Sequence, residues 1–108
     1  MKKLYVVTRS DLPIGDQATQ SGHAIAQYFV DHKMKDDVWG SDDDMWLNET
    51  LVILTIDDRE RLKMLVAKLL SRDIPVYSFE EPDLNDELTA IACYTDGNYF
   101  DGLKKLGE

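Results

Sequence analysis

Arg9, Asp11, Gln20 and His23 are the side chains best placed in the sequence to do chemistry, falling between the end of an apolar run and the start of a helical pattern. An imidazole can take a proton from water, and a carboxylate can orient that imidazole. An amide can donate to a developing oxyanion, and a guanidinium can hold a phosphate bidentately. A histidine that only bonds backbone is the alternative for His23; Asp11 and Gln20 at the same junction favour the chemical reading. Strand-to-helix junctions are also where α/β folds hold their ligands.

A second segment carries potential chemistry. Glu80-Glu81-Pro82-Asp83-Leu84-Asn85-Asp86 packs four carboxylates into seven residues ahead of a strand that contains Thr89. It reads either as a solvated acidic turn or as a loop that turns one or two acids toward His23 to orient its ring and raise its basicity. The single cysteine, Cys93, lies in the apolar run Ala90-Ile91-Ala92-Cys93 and reads as a buried structural thiol. No metal-ligand spacing is present, because His32 falls on a different helical face from His23, and no cofactor is expected. There is no glycine-rich phosphate loop and no serine in a nucleophile elbow.

The elements that must position these residues follow from periodicity. Leu4–Val7 reads as a first strand, and the turn Asp11–Gly15 leads into a helix from about Asp16 to Lys33. Ala18, Gly22, Ile25, Ala26 and Phe29 form its apolar side, while Asp16, Gln20, His23 and Gln27 form a polar stripe. Asp36 to Asn48, with Asp42-Asp43-Asp44 and both tryptophans, reads as an irregular loop anchored at its far end by Trp46. Leu51–Ile56 is a buried strand, Asp57-x-x-Glu60 a helix cap, and Leu62, Leu65, Val66, Leu69 and Leu70 the core side of a second helix ending near Arg72. Val76–Phe79 and Leu88–Tyr94 are the third and fourth strands, and Phe100–Leu106 a short last helix. The order β-α-β-α-β-β-α predicts an α/β fold, a small mixed four-stranded sheet with helices on both faces.

Size and charge set the outer limits. At 108 residues the chain makes one domain, 1–108. No apolar run approaches the roughly 20 residues that span a bilayer, and a cytoplasmic protein is expected. Twenty-one acidic against twelve basic residues give a net charge of −9, which opposes a polyanionic partner unless the cations are segregated. Arg59, Arg61, Lys63, Lys68 and Arg72 on the second helix, or Lys2, Lys3 and Arg9 near the first strand, are the candidate groups; an ordinary solvated helix face is the alternative for the first.

Written as R-x-D-L-x-x-G-x-x-A-x-Q-x-x-H-A, residues 9–24 resemble the opening motif of the archaeal and eukaryotic-type peptidyl-tRNA hydrolases. The element order and the later Thr-Ala-Ile-Ala extend that resemblance over almost the whole chain. It implies a mixed sheet between helices, a possible homodimer, and cleavage of the ester joining a peptide to the terminal ribose of tRNA. It assigns Arg9, Asp11, Gln20 and His23 to the first motif. Asp83 becomes the candidate for the family's active-site aspartate, with Glu81 beside it, and Thr89 the candidate for the threonine of the last strand, subject to a one-residue shift. His23 would be the general base, with Asp11 or Asp83 orienting it. Gln20 or a helix-start N–H would donate to the oxyanion, and Arg9 would bind the terminal phosphate. One departure stands out: a lysine typically follows the glycine before the helix in this family, and Asp16 stands there instead. Two other readings stay open: a silent homologue that binds a small phosphorylated nucleotide, and an interaction module that uses the tryptophan loop around Trp39.

Overall fold

β1 (Lys3–Arg9) alternates its side chains between two cores, so it lies at the centre of the molecule. Leu4 and Val6 belong to one core, and Tyr5 and Val7 to the other. The computed structural model describes residues 1–36 and 45–108. After β1 come α1 (Ile14–Asp36), β2 (Leu51–Ile56), α2 (Arg59–Ser71), β3 (Tyr77–Glu81), β4 (Glu87–Thr95) and β5 (Lys104–Lys105). Short 3-10 turns occupy Pro82–Leu84 and Gly97–Tyr99. The strands form one sheet in the order β3-β4-β1-β2-β5, with β1 and β2 parallel and the other neighbours antiparallel. A mixed sheet between two helical layers is therefore the architecture, as the sequence predicts. Trp39 and Asp42-Asp43-Asp44 lie outside the described residues.

α2 covers one face of the sheet with Leu62, Leu65 and Leu69, all buried, against Val7, Leu54, Ile91 and Phe100. Each such leucine contributes about 1.5–3 kcal/mol by leaving water. Its cap is Asp58, one residue later than the sequence suggests. Asp58 has extended backbone and its carboxylate accepts the Arg61 N–H, whereas Asp57 is the exposed partner of Arg61. Reciprocal bonding to Glu60 is not used, since Glu60 instead meets Arg59.

α1 covers the opposite face, but not with the side that its apolar residues suggest. Gln17, Gln20, Ser21, Ala24, Tyr28 and His32 are buried, whereas Ala18, Gly22 and Ala26 are exposed and Ile25 and Phe29 sit at the edge. The helix is turned by about one residue, roughly 100°, from the predicted seating. A polar face can be buried because its groups are bonded. Ser21 Oγ donates to the Gln17 carbonyl at 2.8 Å, and Tyr28 Oη accepts the Trp46 N–H at 2.8 Å. Trp46 is itself buried and donates from Nε1 to the Thr50 carbonyl, so it does anchor that end of the loop. Among the described residues no buried side-chain nitrogen or oxygen lacks a partner.

The expected last helix, Phe100–Leu106, does not form. Gly102 and Gly107 take φ values of 85° and 90°, in the left-handed region that a helix interior excludes. Lys104 and Lys105 instead add a fifth strand opposite Thr55 and Leu54. Phe100 stacks on Tyr5 at 4.4 Å and closes the α2-side core. Cys93 is buried in that core and burial pushes its thiol up to about 12, the inert structural state.

Candidate functional site

The register of β4 against β3 slips at one residue, and that slip builds the site. Phe79 pairs with Ala90 and Glu80 with Leu88, leaving Thr89 as the extra residue of a β-bulge. Leu88 and Ile91 therefore both face α2, while Ala90 faces α1. Thr89 joins Ala90 on the α1 side, where its Oγ1 donates to Gln20 Oε1 at 2.7 Å. A regular strand would have pointed Thr89 away from α1; the bulge re-aims it.

Gln20 continues the run. Its Nε2 donates to Glu81 Oε2 at 2.7 Å, and Glu81 Oε1 accepts the Asp83 N–H at 3.2 Å. An ionised carboxylate only accepts, so Gln20 must turn its amide nitrogen to Glu81 and its carbonyl to Thr89, whose hydroxyl then donates. Three elements, β4, α1 and the end of β3, are joined by this row. The Gln20 bond, followed by the Asp83 N–H and the neighbouring His23, holds the Glu81 carboxyl below the usual glutamate range.

His23 lies one helical turn beyond Gln20, exposed, with its ring stacked on Phe79 at 4.4 Å and 10° between planes. Glu81 is close enough to His23 for the imidazole to help lower its carboxyl. Asp11 is engaged elsewhere, and Asp83 is exposed in the 3-10 turn with its N–H on Glu81. Phe79 is the residue that sequence reasoning misses, and Glu81, expected only beside Asp83, is the acid that bonds Gln20. β3 extends past Phe79 through Glu80 and Glu81, and a strand ending in two acids looks like loop.

Arg9 closes the other end of the cluster. Its Nε and Nη2 donate to the two Asp11 oxygens at 3.0 and 2.9 Å, and its Nη1 donates to the Leu88 carbonyl at 3.1 Å. Glu87 stands 3.8 Å from Nη1 and also pairs with Arg59 at 2.6 Å. The hydrogen bond to Asp11 pushes the Arg9 guanidinium further up and holds Asp11 below the ordinary carboxylate range. The fork that a phosphate would use is therefore occupied by Asp11. Gln17 fixes the same turn by donating from Nε2 to the Leu12 carbonyl at 2.7 Å. Asp16 stands exposed in the first turn of α1, suited to the positive end of the helix dipole.

The structure thus gathers His23, Gln20, Glu81, Asp83 and Thr89 at the meeting of α1, β3 and β4, with Arg9 and Asp11 paired beside the start of β4. A separate groove of about 660 Å³ lies on the α2 side, lined by Ile56, Arg61, Met64, Lys68, Tyr99 and Leu103 among others, and none of the residues just named lines it. Among the described residues no group of three or more His, Cys, Asp or Glu side chains is placed to hold a metal ion, and no helix is long and apolar enough to cross a membrane.

A mixed sheet covered by helices on both faces, with an imidazole, an amide, a hydroxyl and carboxylates brought together along the N-terminal half of its first helix, is a small α/β domain with one polar cluster. The sequence matches the family described as peptidyl-tRNA hydrolase PTH2 over residues 2–94, and the chain belongs to that family. Among solved structures it is similar to Atu0240 of Agrobacterium tumefaciens str. C58, a protein of unknown function, with 16% identity, 96% of each chain covered and a TM-score of 0.65. That likeness concerns the fold. No curated protein matches the chain.

Proposed function

We propose that this protein hydrolyses the ester between a peptide and the terminal ribose of tRNA, with no cofactor, in the cytoplasm and as a homodimer. The observation that carries the reading is the bonded row Thr89–Gln20–Glu81 with His23 beside it, built on a chain of the peptidyl-tRNA hydrolase family. His23 takes a proton from water, and the resulting hydroxide attacks the ester carbonyl. The second amide hydrogen of Gln20, or an N–H at the start of α1, donates to the tetrahedral oxyanion. Collapse breaks the bond to the ribose oxygen, which receives the proton back from His23, leaving a free tRNA end and a peptide carboxylic acid that gives its remaining proton to water. Phe79 holds the imidazole by stacking, Glu81 offsets its transient charge, and Asp83 fixes Glu81 through its backbone. Arg9 can receive the terminal phosphate when Asp11, whose side chain is 40% exposed, swings out.

Release of N-blocked peptide from peptidyl-tRNA by the purified protein tests this reading. Multiple turnovers support it, and no release by well-folded protein contradicts it. The missing lysine, with Asp16 in its place, favours a second reading in which hydrolysis is lost and a small phosphorylated nucleotide is only bound, the Arg9 fork opening from Asp11 to receive it. Such a protein saturates with ligand and releases no product.

A further inference from the structure

Glu87 is shared by two guanidiniums that the fold, not the local sequence, brings together. It is the first residue of β4, stands 3.8 Å from Arg9 Nη1 and accepts from Arg59 Nη1 at 2.6 Å. Arg9 ends β1 and Arg59 opens α2. Each guanidinium carries five N–H donors, more than Glu87 and its neighbours use. Asp11 takes the Nε and Nη2 side of Arg9, Glu60 accepts from Arg59 Nε at 3.2 Å, and Arg59 Nη2 has no bond among the described residues. Glu87 is also poorly placed as a permanent occupant. In the β3–β4 register it lies directly opposite Glu81, a like-charge arrangement that strand pairing disfavours. Its side chain is 30% exposed, so water receives the carboxylate once it lets go. Arg9 has no such exit: its side chain is 8% exposed and Nη1 also donates to the Leu88 carbonyl. The buried cation is fixed, the Arg59 side chain, 42% exposed, is reachable from solvent, and the anion between them is the replaceable part. Paired guanidiniums suit a phosphate, whose several oxygens can satisfy both at once.

We propose that Arg9 and Arg59 form a two-guanidinium seat for a phosphate group, which Glu87 fills as an internal stand-in until that phosphate displaces it. The seat uses Nη1 of Arg9 and is separate from the fork that Asp11 occupies. It gives a cation pair to a chain whose first helix opens with Asp16. Glu87 and Thr89 are two residues apart on β4, so an RNA strand ending at Gln20 and His23 is one source of the phosphate, and only that source rests on the hydrolase reading. A small phosphorylated ligand is the other source.

NMR titration of the intact protein with inorganic phosphate, and with an RNA trinucleotide, reads the seat without turnover. An outside anion binds only the molecules in which Glu87 has let go, so Glu87→Gln should tighten inorganic phosphate by about fivefold or more. A carboxylate that served only to brace the arginines would give the opposite sign. Glu80→Gln removes the same charge from an exposed residue with no bond to either arginine, and should change binding by less than about twofold. Arg59→Ala should weaken phosphate by about tenfold. Equal or weaker binding by Glu87→Gln, an equal gain from Glu80→Gln, undiminished binding by Arg59→Ala, or no phosphate binding by wild type and Glu87→Gln alike would overturn the seat. The same pattern with the trinucleotide assigns the phosphate to an RNA strand, and the pattern with inorganic phosphate alone assigns it to a small ligand. Turnover separates the two readings. Peptide release by wild type, with phosphate binding indifferent to Arg59 and Glu87, keeps hydrolysis and sinks the seat. A seat that tightens in Glu87→Gln, in a protein that releases no peptide, keeps the seat and sinks hydrolysis.

Discussion

Gln20 is the residue on which the site turns, because its two ends cannot be exchanged. Thr89→Val keeps the shape and removes the donor, leaving Gln20 Oε1 buried without a partner. A loss of about 1–3 kcal/mol is expected, with a lower kcat as the amide loses its orientation; denaturant titration alongside turnover measures both. A variant as stable and as active as wild type would contradict the row. Asp11 makes a different kind of prediction. Its carboxyl is depressed by the bonds from Arg9, so its contribution to stability is fully present above the unfolded carboxylate value and is lost as pH falls through the lower folded one. Stability should therefore decline below about pH 4, and Asp11→Asn should make that decline shallower. The change should be small, since the Asp11 side chain is 40% exposed and solvent screens the pair. Denaturation midpoints at stepped acidic pH compare the two slopes; identical slopes would count against the pair.

Elements convert these residues into a site in ways that the sequence shows unevenly. α2 is legible because Leu62, Leu65 and Leu69 repeat at helical spacing and are the residues that it buries. Leu69→Ala should cost about 2–5 kcal/mol, and Asp58→Ala about 1 kcal/mol through the lost cap, both readable by thermal or chemical unfolding. α1 is less legible. Its exposed alanines count as apolar in any periodicity, while the buried face is built from glutamines, a serine, a tyrosine and a histidine that are acceptable inside only because each finds a partner. Gln17, Ser21 and His32 meet backbone carbonyls close by, but the partners of Gln20 and Tyr28 are distant in sequence, on β3, β4 and the segment at Trp46. The bulge at Thr89 is not legible, for the apolar run Ala90–Cys93 sets no alternation that a slip would interrupt, and the slip appears only when β4 is laid against β3. Glu81 is legible as a candidate beside Asp83, but its place at the end of an edge strand is not, since Glu80-Glu81 reads as part of an acidic loop. The last helix was misread because Phe100, Leu103 and Leu106 keep helical spacing, while Gly102 and Gly107 bend the chain into left-handed turns.

The whole molecule is acidic, with a net charge of −9, and its site is bordered by carboxylates whose nearest cations, Arg9 and Arg59, are already paired. Few phosphate contacts should form, so raising salt from about 50 to 200 mM should weaken substrate RNA by about tenfold, against the thousandfold or more of a protein that neutralises many phosphates. A steep salt dependence would place the binding surface elsewhere on the molecule. Family membership and the gathered side chains both point to ester cleavage, and the direct test is single-turnover release of N-blocked peptide from peptidyl-tRNA at low salt by wild type and His23→Ala. The account predicts release by wild type and a rate lower by about 10²-fold or more in the variant; release at an undiminished rate from His23→Ala, or none from folded wild type, would contradict it.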